Sequence, residues 1–349
     1  MISKRVLSLS PYKTETTQAK VKLSSNELSI DFPEEVKRRI AEEVYKIPLH
    51  RYPDPEATLL KEALAERLGV KPENLLLGNG SDELIYYLSI SIGEFDRGVF
   101  YPVPTFSMYG ISAQVLGREK VEASLDEAFD IDIKKSLELI EEKKPIIAYF
   151  AYPNNPTGNC FSEDRIRRIR EKGLFVVVDE AYYSYSGKTF LEEALDREDT
   201  VVLRTLSKVG MAGLRIGILV GKEEVIRELN KVRLPFNITY PSQVIARLLL
   251  REFYHIIEKA VRAVVEERER VYRELSKMEG IKVYPSEANF ILFKSLSMPA
   301  DLFHKRLLEE GVLIRNFSYM LPQALRVSIG KPQENDAFLE AVGKVLKNS

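Results

Sequence analysis

The chain has 349 residues but only one cysteine and no tryptophan. A lone Cys160 excludes an intrachain disulfide and points to a reducing compartment. The three histidines, His50, His255 and His304, share no zinc-ligand spacing with one another or with Cys160, so no metal centre is expected. Neither sign of charge dominates: 51 basic residues face 52 acidic ones, for a formal net charge of −1. That balance argues against a nucleic-acid or membrane-surface protein. No apolar run reaches the length of a membrane span. The opening Met1-Ile2-Ser3-Lys4-Arg5-Val6-Leu7-Ser8 has no apolar segment of signal-peptide length. Repeats, low-complexity tracts and flexible linkers are missing too. These absences lead to the expectation of a cytoplasmic protein with no nucleic-acid or membrane partner. A charged fraction of 30% together with so little Cys and Trp also suits a heat-tolerant source.

Hydrophobic residues make up 45% of the chain, enough at this length to bury a large core in two closely packed domains. From about residue 56, helical stretches alternate with short apolar strands, the pattern of a doubly wound α/β sheet. The strands are expected at Leu75–Leu77, Val99–Tyr101, Ile146–Ala151, Phe175–Asp179, Val201–Thr205 and Ile216–Val220. Several are continuous apolar runs, as strands covered on both faces require. A long charged amphipathic helix, Tyr254 to Met278, leads into a different pattern. It has strands near Ile281–Tyr284, Phe290–Phe293, Val312–Arg315 and Leu325–Ile329, and helices near Ala300–Glu310 and Gln333–Lys347. The fold class expected is α/β, a large mostly parallel sheet domain followed by a smaller α+β domain.

The motifs fall where strands of the large sheet end. Asp179 closes Phe175-Val176-Val177-Val178, and a carboxylate at such a strand end faces the crevice where open α/β sheets bind ligands. Lys208 sits among small residues and hydroxyls in Thr205-Leu206-Ser207-Lys208-Val209-Gly210. A Schiff-base lysine and an acidic partner for a pyridinium nitrogen are the two protein groups that pyridoxal phosphate chemistry needs. Taken singly, Lys208 reads equally as a solvated lysine and Asp179 as a helix cap. Asn155, in Tyr152-Pro153-Asn154-Asn155-Pro156-Thr157-Gly158, would be an ordinary Asn-Pro turn by itself. Gly80-Ser81-Asp82-Glu83 follows a strand and opens a helix, whose N-terminal N–H groups can take a phosphate, although Ser81 could equally serve as a plain cap. Thr205, Ser207 and Arg215 add hydroxyls and a guanidinium suited to the same anion.

With these strings in place, the chain resembles the fold-type I, class I/II pyridoxal phosphate-dependent aminotransferases over essentially its whole length, and within them the histidinol-phosphate branch. The resemblance implies that Lys208 carries the cofactor and moves a proton. It also implies that Asp179 keeps the ring nitrogen protonated and that Tyr182 and Asn155 hydrogen-bond the ring hydroxyl. Phe106, otherwise a core residue, would stack on the ring. Ser81, Asp82, Thr205, Ser207 and Arg215 would hold the phosphate, with Arg215 one residue closer to Lys208 than is common in the family. Tyr52, in a Pro-rich turn, would reach the phosphate of a neighbouring subunit, making the protein a homodimer. Arg315 and Arg326, with Tyr12 and Asn155, would bind substrate; strand-end arginines otherwise make surface ion pairs. Met320 stands where the family often has Gly. The implied organisation is an arm at 1–30, a large cofactor-binding domain at 31–253 and a small domain at 254–349. The implied reaction passes an amine between L-glutamate/2-oxoglutarate and histidinol phosphate in histidine biosynthesis. An aromatic amino acid aminotransferase or a phosphothreonine decarboxylase on the same scaffold stays open. A non-enzymatic aminotransferase-like regulator lacks support, since such regulators need an added DNA-binding segment.

Overall fold

The computed structural model describes residues 1–9, 17–29 and 31–347, so Tyr12 lies outside the described residues. The strands in chain order are β1 (Val21–Lys22), β2 (Leu75–Asn79), β3 (Val99–Val103), β4 (Lys120–Ser124), β5 (Ile147–Ala151), β6 (Phe175–Asp179) and β7 (Thr200–Thr205). They continue with β8 (Ile216–Val220), β9 (Ile281–Val283), β10 (Phe290–Ser295), β11 (Val312–Leu313), β12 (Arg315–Asn316) and β13 (Ala324–Ser328). A large sheet takes the order β2-β8-β7-β6-β5-β3-β4. Its strands pair in parallel except β8, which runs antiparallel to both β2 and β7. The continuous apolar runs are buried along β5, β7 and β8, because helices cover both faces.

From β3 the chain moves outward to β4; it then returns to lay β5 on the other side of β3 and continues to β6 and β7. The connections leaving β3 and β5 therefore diverge. That divergence opens a crevice at the C-terminal strand ends, the place where such sheets bind ligands. Asp179 ends β6 in register with Ala151 of β5 and Leu203 of β7.

A second, antiparallel sheet has the order β12-β13-β10-β9, and β1 pairs in parallel with β11. The helix Tyr254–Ser276 connects the two cores. Ile257 packs into the apolar core of the large sheet, whereas Val264, Val271 and Leu275 pack into that of the small one. Their spacing places them on one helix stripe.

Two expectations need correction. The alternating Lys-Val-Glu-Ala-Ser of β4 was not expected as a strand; at the sheet edge only Val121 and Ala123 are buried, so no continuous apolar run marks it. The single strand expected at Val312–Arg315 is two: β11 joins β1, and β12 joins β13.

Candidate active site

Where the strand ends diverge lies a cavity of about 570 Å³. Its floor is the buried Asp179. Tyr109 donates a 2.6 Å hydrogen bond to Oδ2 of Asp179, and the Ala181 N–H donates to Oδ1 at 3.1 Å. Burial raises the Asp179 carboxyl to about 6, against the opposing pull of those two donors. A carboxylate buried this way favours a cation facing it. Lys208 enters the same cavity from the loop after β7, its Nζ 3.3 Å from the carbonyl of Ser25. Its own carbonyl accepts a 2.5 Å hydrogen bond from Tyr185, which pins the loop from behind.

One end of the cavity is made by the N-terminus of the helix Ser81–Ser91 and the β7 loop. The cap is Gly80 rather than Ser81, with a left-handed φ of 81°. A Cβ at Gly80 would meet the Arg215 guanidinium, so both the backbone conformation and the space select glycine. At Gly217 in β8 a Cβ would lie 2.5 Å from the Ser81 nitrogen, so only glycine lets β8 pass under the helix start. With its short spacing from Lys208, Arg215 follows a single 3-10 turn and is itself left-handed, with φ of 52°. It still comes within 3.5 Å of the Ser207 hydroxyl and 3.2 Å of Asp82. Thr205 and Ser207 share a 3.0 Å hydrogen bond beside it.

The opposite end carries Arg326 from β13 and Arg315 from β12, paired residues of neighbouring antiparallel strands. Arg326 donates to Asn155 Oδ1 at 2.5 Å and to the Ser24 carbonyl at 2.8 Å. Asn26, buried and left-handed, donates to the Tyr182 hydroxyl at 2.9 Å and accepts from Ser328 at 2.8 Å. Phe106, Tyr319 and Met320 complete the walls.

A family profile described as "Aminotransferase class I and II" matches residues 18–342. The chain belongs to the class I and II aminotransferase family. It is 60% identical over 350 residues to the histidinol-phosphate aminotransferase of Aquifex aeolicus, covering 100% of this chain and 99% of that protein. It is 46% identical over 349 residues to the enzyme of that name from a Hydrogenobaculum species, covering 99% of both chains. Its fold matches the crystal structure of the Sinorhizobium meliloti histidinol-phosphate aminotransferase in complex with pyridoxal 5'-phosphate. There the TM-score is 0.86 at 21% identity, covering 99% of this chain and 98% of that one.

In this aminotransferase one cavity gathers Ser81, Asp82, Phe106, Asn155, Asp179, Tyr182, Thr205, Ser207, Lys208, Arg215, Arg315 and Arg326, all singled out from the sequence. Tyr52 does not join them. It is 79% exposed and stacks on Phe236 with ring centroids 4.5 Å apart. Sequence reasoning missed Ser24, Ser25, Asn26 and Tyr109, which line the cavity. Nothing in Ser24-Ser25-Asn26 marks a site until β1 pairs with β11 and carries it there. Tyr109 sits in a helix between apolar neighbours and reads as core. Among the described residues no helix could cross a membrane, and no cluster of His, Cys, Asp and Glu could hold a metal.

Proposed function

We propose that this chain is a pyridoxal phosphate-dependent transaminase. It interconverts L-histidinol phosphate and 2-oxoglutarate with imidazole-acetol phosphate and L-glutamate, a step of histidine biosynthesis. The observation that carries this reading is one cavity holding Lys208 and Asp179 at its centre and two arginines at the end remote from the Gly80–Arg215 cup. The full-length likeness to the Aquifex aeolicus enzyme supports the substrate choice.

The residues present fit the cofactor. The enclosed Asp179 suits a cationic ring nitrogen, and the cleared helix N-terminus at Gly80 with Thr205, Ser207 and Arg215 suits a phosphate. Of Asp82, only the backbone N–H helps there, since its side chain already answers Arg215 and would repel a second anion. Tyr182 accepts from Asn26, which leaves its own proton to donate into the cavity. Asn155 accepts from Arg326, which turns its amide N–H groups to the same use. Two such donors suit a ring oxygen carrying negative charge. Phe106 packs edge-on to Tyr109 at 5.7 Å between centroids, which fixes its ring at the cavity wall.

When bound, the cofactor withdraws electrons from the substrate carbon that bears the amine. Lys208 would hold the cofactor covalently, and its amine would serve to move the proton at that carbon. Asp179 would keep its charge opposite a cationic ring nitrogen. Arg326 and Arg315 take the substrate's distal anion, carboxylate or phosphate, through forks of donors that fit either. The reading divides the chain into an arm (1–30), a large unit (31–253) and a small unit (254–349), and it is supported by a cavity lined by Ser24–Asn26, by Lys208 and by Arg326, one group from each; a single cysteine fits a cytoplasmic setting. The exposed Tyr52–Phe236 pair supports a homodimer in which Tyr52 reaches the partner's phosphate cup.

Borohydride reduction followed by peptide mapping tests the covalent role: the label is expected on Lys208 and nowhere else. A screen of single half-reactions tests the substrate. L-Histidinol phosphate and L-glutamate are expected to convert the bound cofactor fastest. Faster conversion by phenylalanine, or carbon dioxide release from phosphothreonine, would overturn the assignment.

A further inference from the structure

We propose that Tyr109 is a positioning residue for the reaction, holding the Asp179 carboxylate ionised and aimed at the cofactor's ring nitrogen. This inference rests on the cofactor reading above. Tyr109 is fully buried, on the helix Met108–Leu116 beside β3, and its hydroxyl makes the 2.6 Å bond to Asp179 Oδ2. The ring itself cannot turn away. It stacks on Tyr149 with centroids 4.8 Å apart and planes within 8°, and it meets Phe106 edge-on. One side chain therefore supports both the carboxylate below the ring site and the aromatic wall beside it.

The groups facing Asp179 explain why a neutral donor stands there. Asp82 and Glu180 are acidic and favour its protonated form, as does burial. Tyr182 and Lys208 share the cavity with it, and Tyr149 lies behind Tyr109. Against burial and two like charges, the donors on the carboxylate are the Tyr109 hydroxyl and the Ala181 N–H. Burial and the neighbouring carboxylate push the Tyr109 phenol well up, so it keeps its proton and stays a donor. A hydrogen bond to a charged acceptor is strong where water is excluded.

Tyr109→Phe removes the donor and keeps the ring. Tyr149→Phe removes a hydroxyl from the same stack, one that bonds Ser89 rather than Asp179. The cofactor dissociation constant of both variants and of the wild type is measured by equilibrium dialysis at pH 5.5 and 7.5, alongside the pH profile of kcat. For Tyr109→Phe we expect a rise in Kd of about ten-fold, larger at pH 5.5, and an acid limb of kcat moved to higher pH by about one unit, with substrate KM little changed. Tyr149→Phe is expected to match the wild type. Equal Kd and an unmoved acid limb in Tyr109→Phe would overturn the proposal. Parallel losses in both variants would do the same, since they would show only general support of the stack. A wild type that takes up no cofactor would overturn the underlying cofactor reading as well, whereas a wild type that binds it while Tyr109→Phe behaves identically removes the role of Tyr109 alone.

Discussion

Arg326 donates a 2.5 Å hydrogen bond to Asn155 across 171 residues of sequence, tying the small sheet to the loop that leaves β5 of the large one. The bond orients Asn155, and Arg326 is further held by the Ser24 carbonyl. The arginine proposed for the substrate's anion thus also sets the amide proposed for the cofactor. Arg326→Ala is expected to lower kcat/KM in both half-reactions by roughly 10- to 100-fold, the scale of losing a hydrogen bond to a charged group. Arg315→Ala is expected to harm histidinol phosphate more than glutamate, because a doubly charged phosphate draws more from a second arginine. Separate kinetics of the two half-reactions check both; equal losses for the two substrates in Arg315→Ala would point to an ordinary amino acid as the preferred amine.

Asp179 sets up a trade between stability and activity. Its carboxyl is raised from 3.8 to about 6 in the folded, cofactor-free chain. A raised carboxyl adds stability below its unfolded value, and that contribution is lost as pH climbs through the folded value. At pH 8 the free chain therefore carries a cost that Asp179→Asn removes. We expect that variant to be more stable than wild type without cofactor at pH 8, by on the order of 2 kcal/mol, with the gain fading toward pH 4. Transamination should be nearly abolished, since a neutral partner cannot keep the ring nitrogen protonated. Urea denaturation at the two pH values, with activity assays beside it, makes the comparison.

Glu180 and Arg204 form a buried pair at 2.8 Å, with the Glu180 side chain 0% exposed. Burial still raises Glu180, so desolvation outweighs the guanidinium and its other donors, Thr189 and the Phe190 N–H. Arg204→Met would leave a charge without its partner. The expected loss of stability is about 3 kcal/mol at pH 8. It should shrink by pH 5, where Glu180, raised further without Arg204, takes up a proton. Denaturation midpoints at both pH values decide; a pH-independent loss would mean that packing over the Tyr183 ring matters more than charge.

Sharing of sites between subunits is tested by mixing. Lys208→Ala subunits are expected to be inactive and Tyr52→Ala subunits impaired, and in the proposed homodimer a heterodimer of the two would contain one site with both residues intact. Activity is expected to rise on mixing. Exchange of subunits without recovery, followed by native mass spectrometry, would show that Tyr52 acts within its own chain or not at all.

How much of the site could be read beforehand depended on how local each signal is. Lys208, Asp179 and Asn155 lie inside short strings whose composition is unusual: hydroxyls round a lysine, an acid ending a valine run, an Asn-Asn-Pro-Thr-Gly turn. Tyr109 carries no such mark, because its importance comes from a partner 70 residues away. Asn26 contacts Tyr182, Ser328 and Asn289, none of them near it in sequence. β4 was missed because an edge strand buries only one face.

The linear order of residues decided the elements and their polarity. Apolar runs such as Val176-Val177-Val178 must be buried on both faces, so each strand end carries a set of chemical groups before any folding partner is known. The tertiary structure decided which of those groups meet. The crossover that returns from β4 to place β5 beside β3 opens the crevice, and the pairing of β1 with β11 brings Ser24–Asn26 into it. Backbone propensity and burial act over a few residues, whereas the 2.5 Å bond from Arg326 to Asn155 exists only after two separately packed sheets have docked.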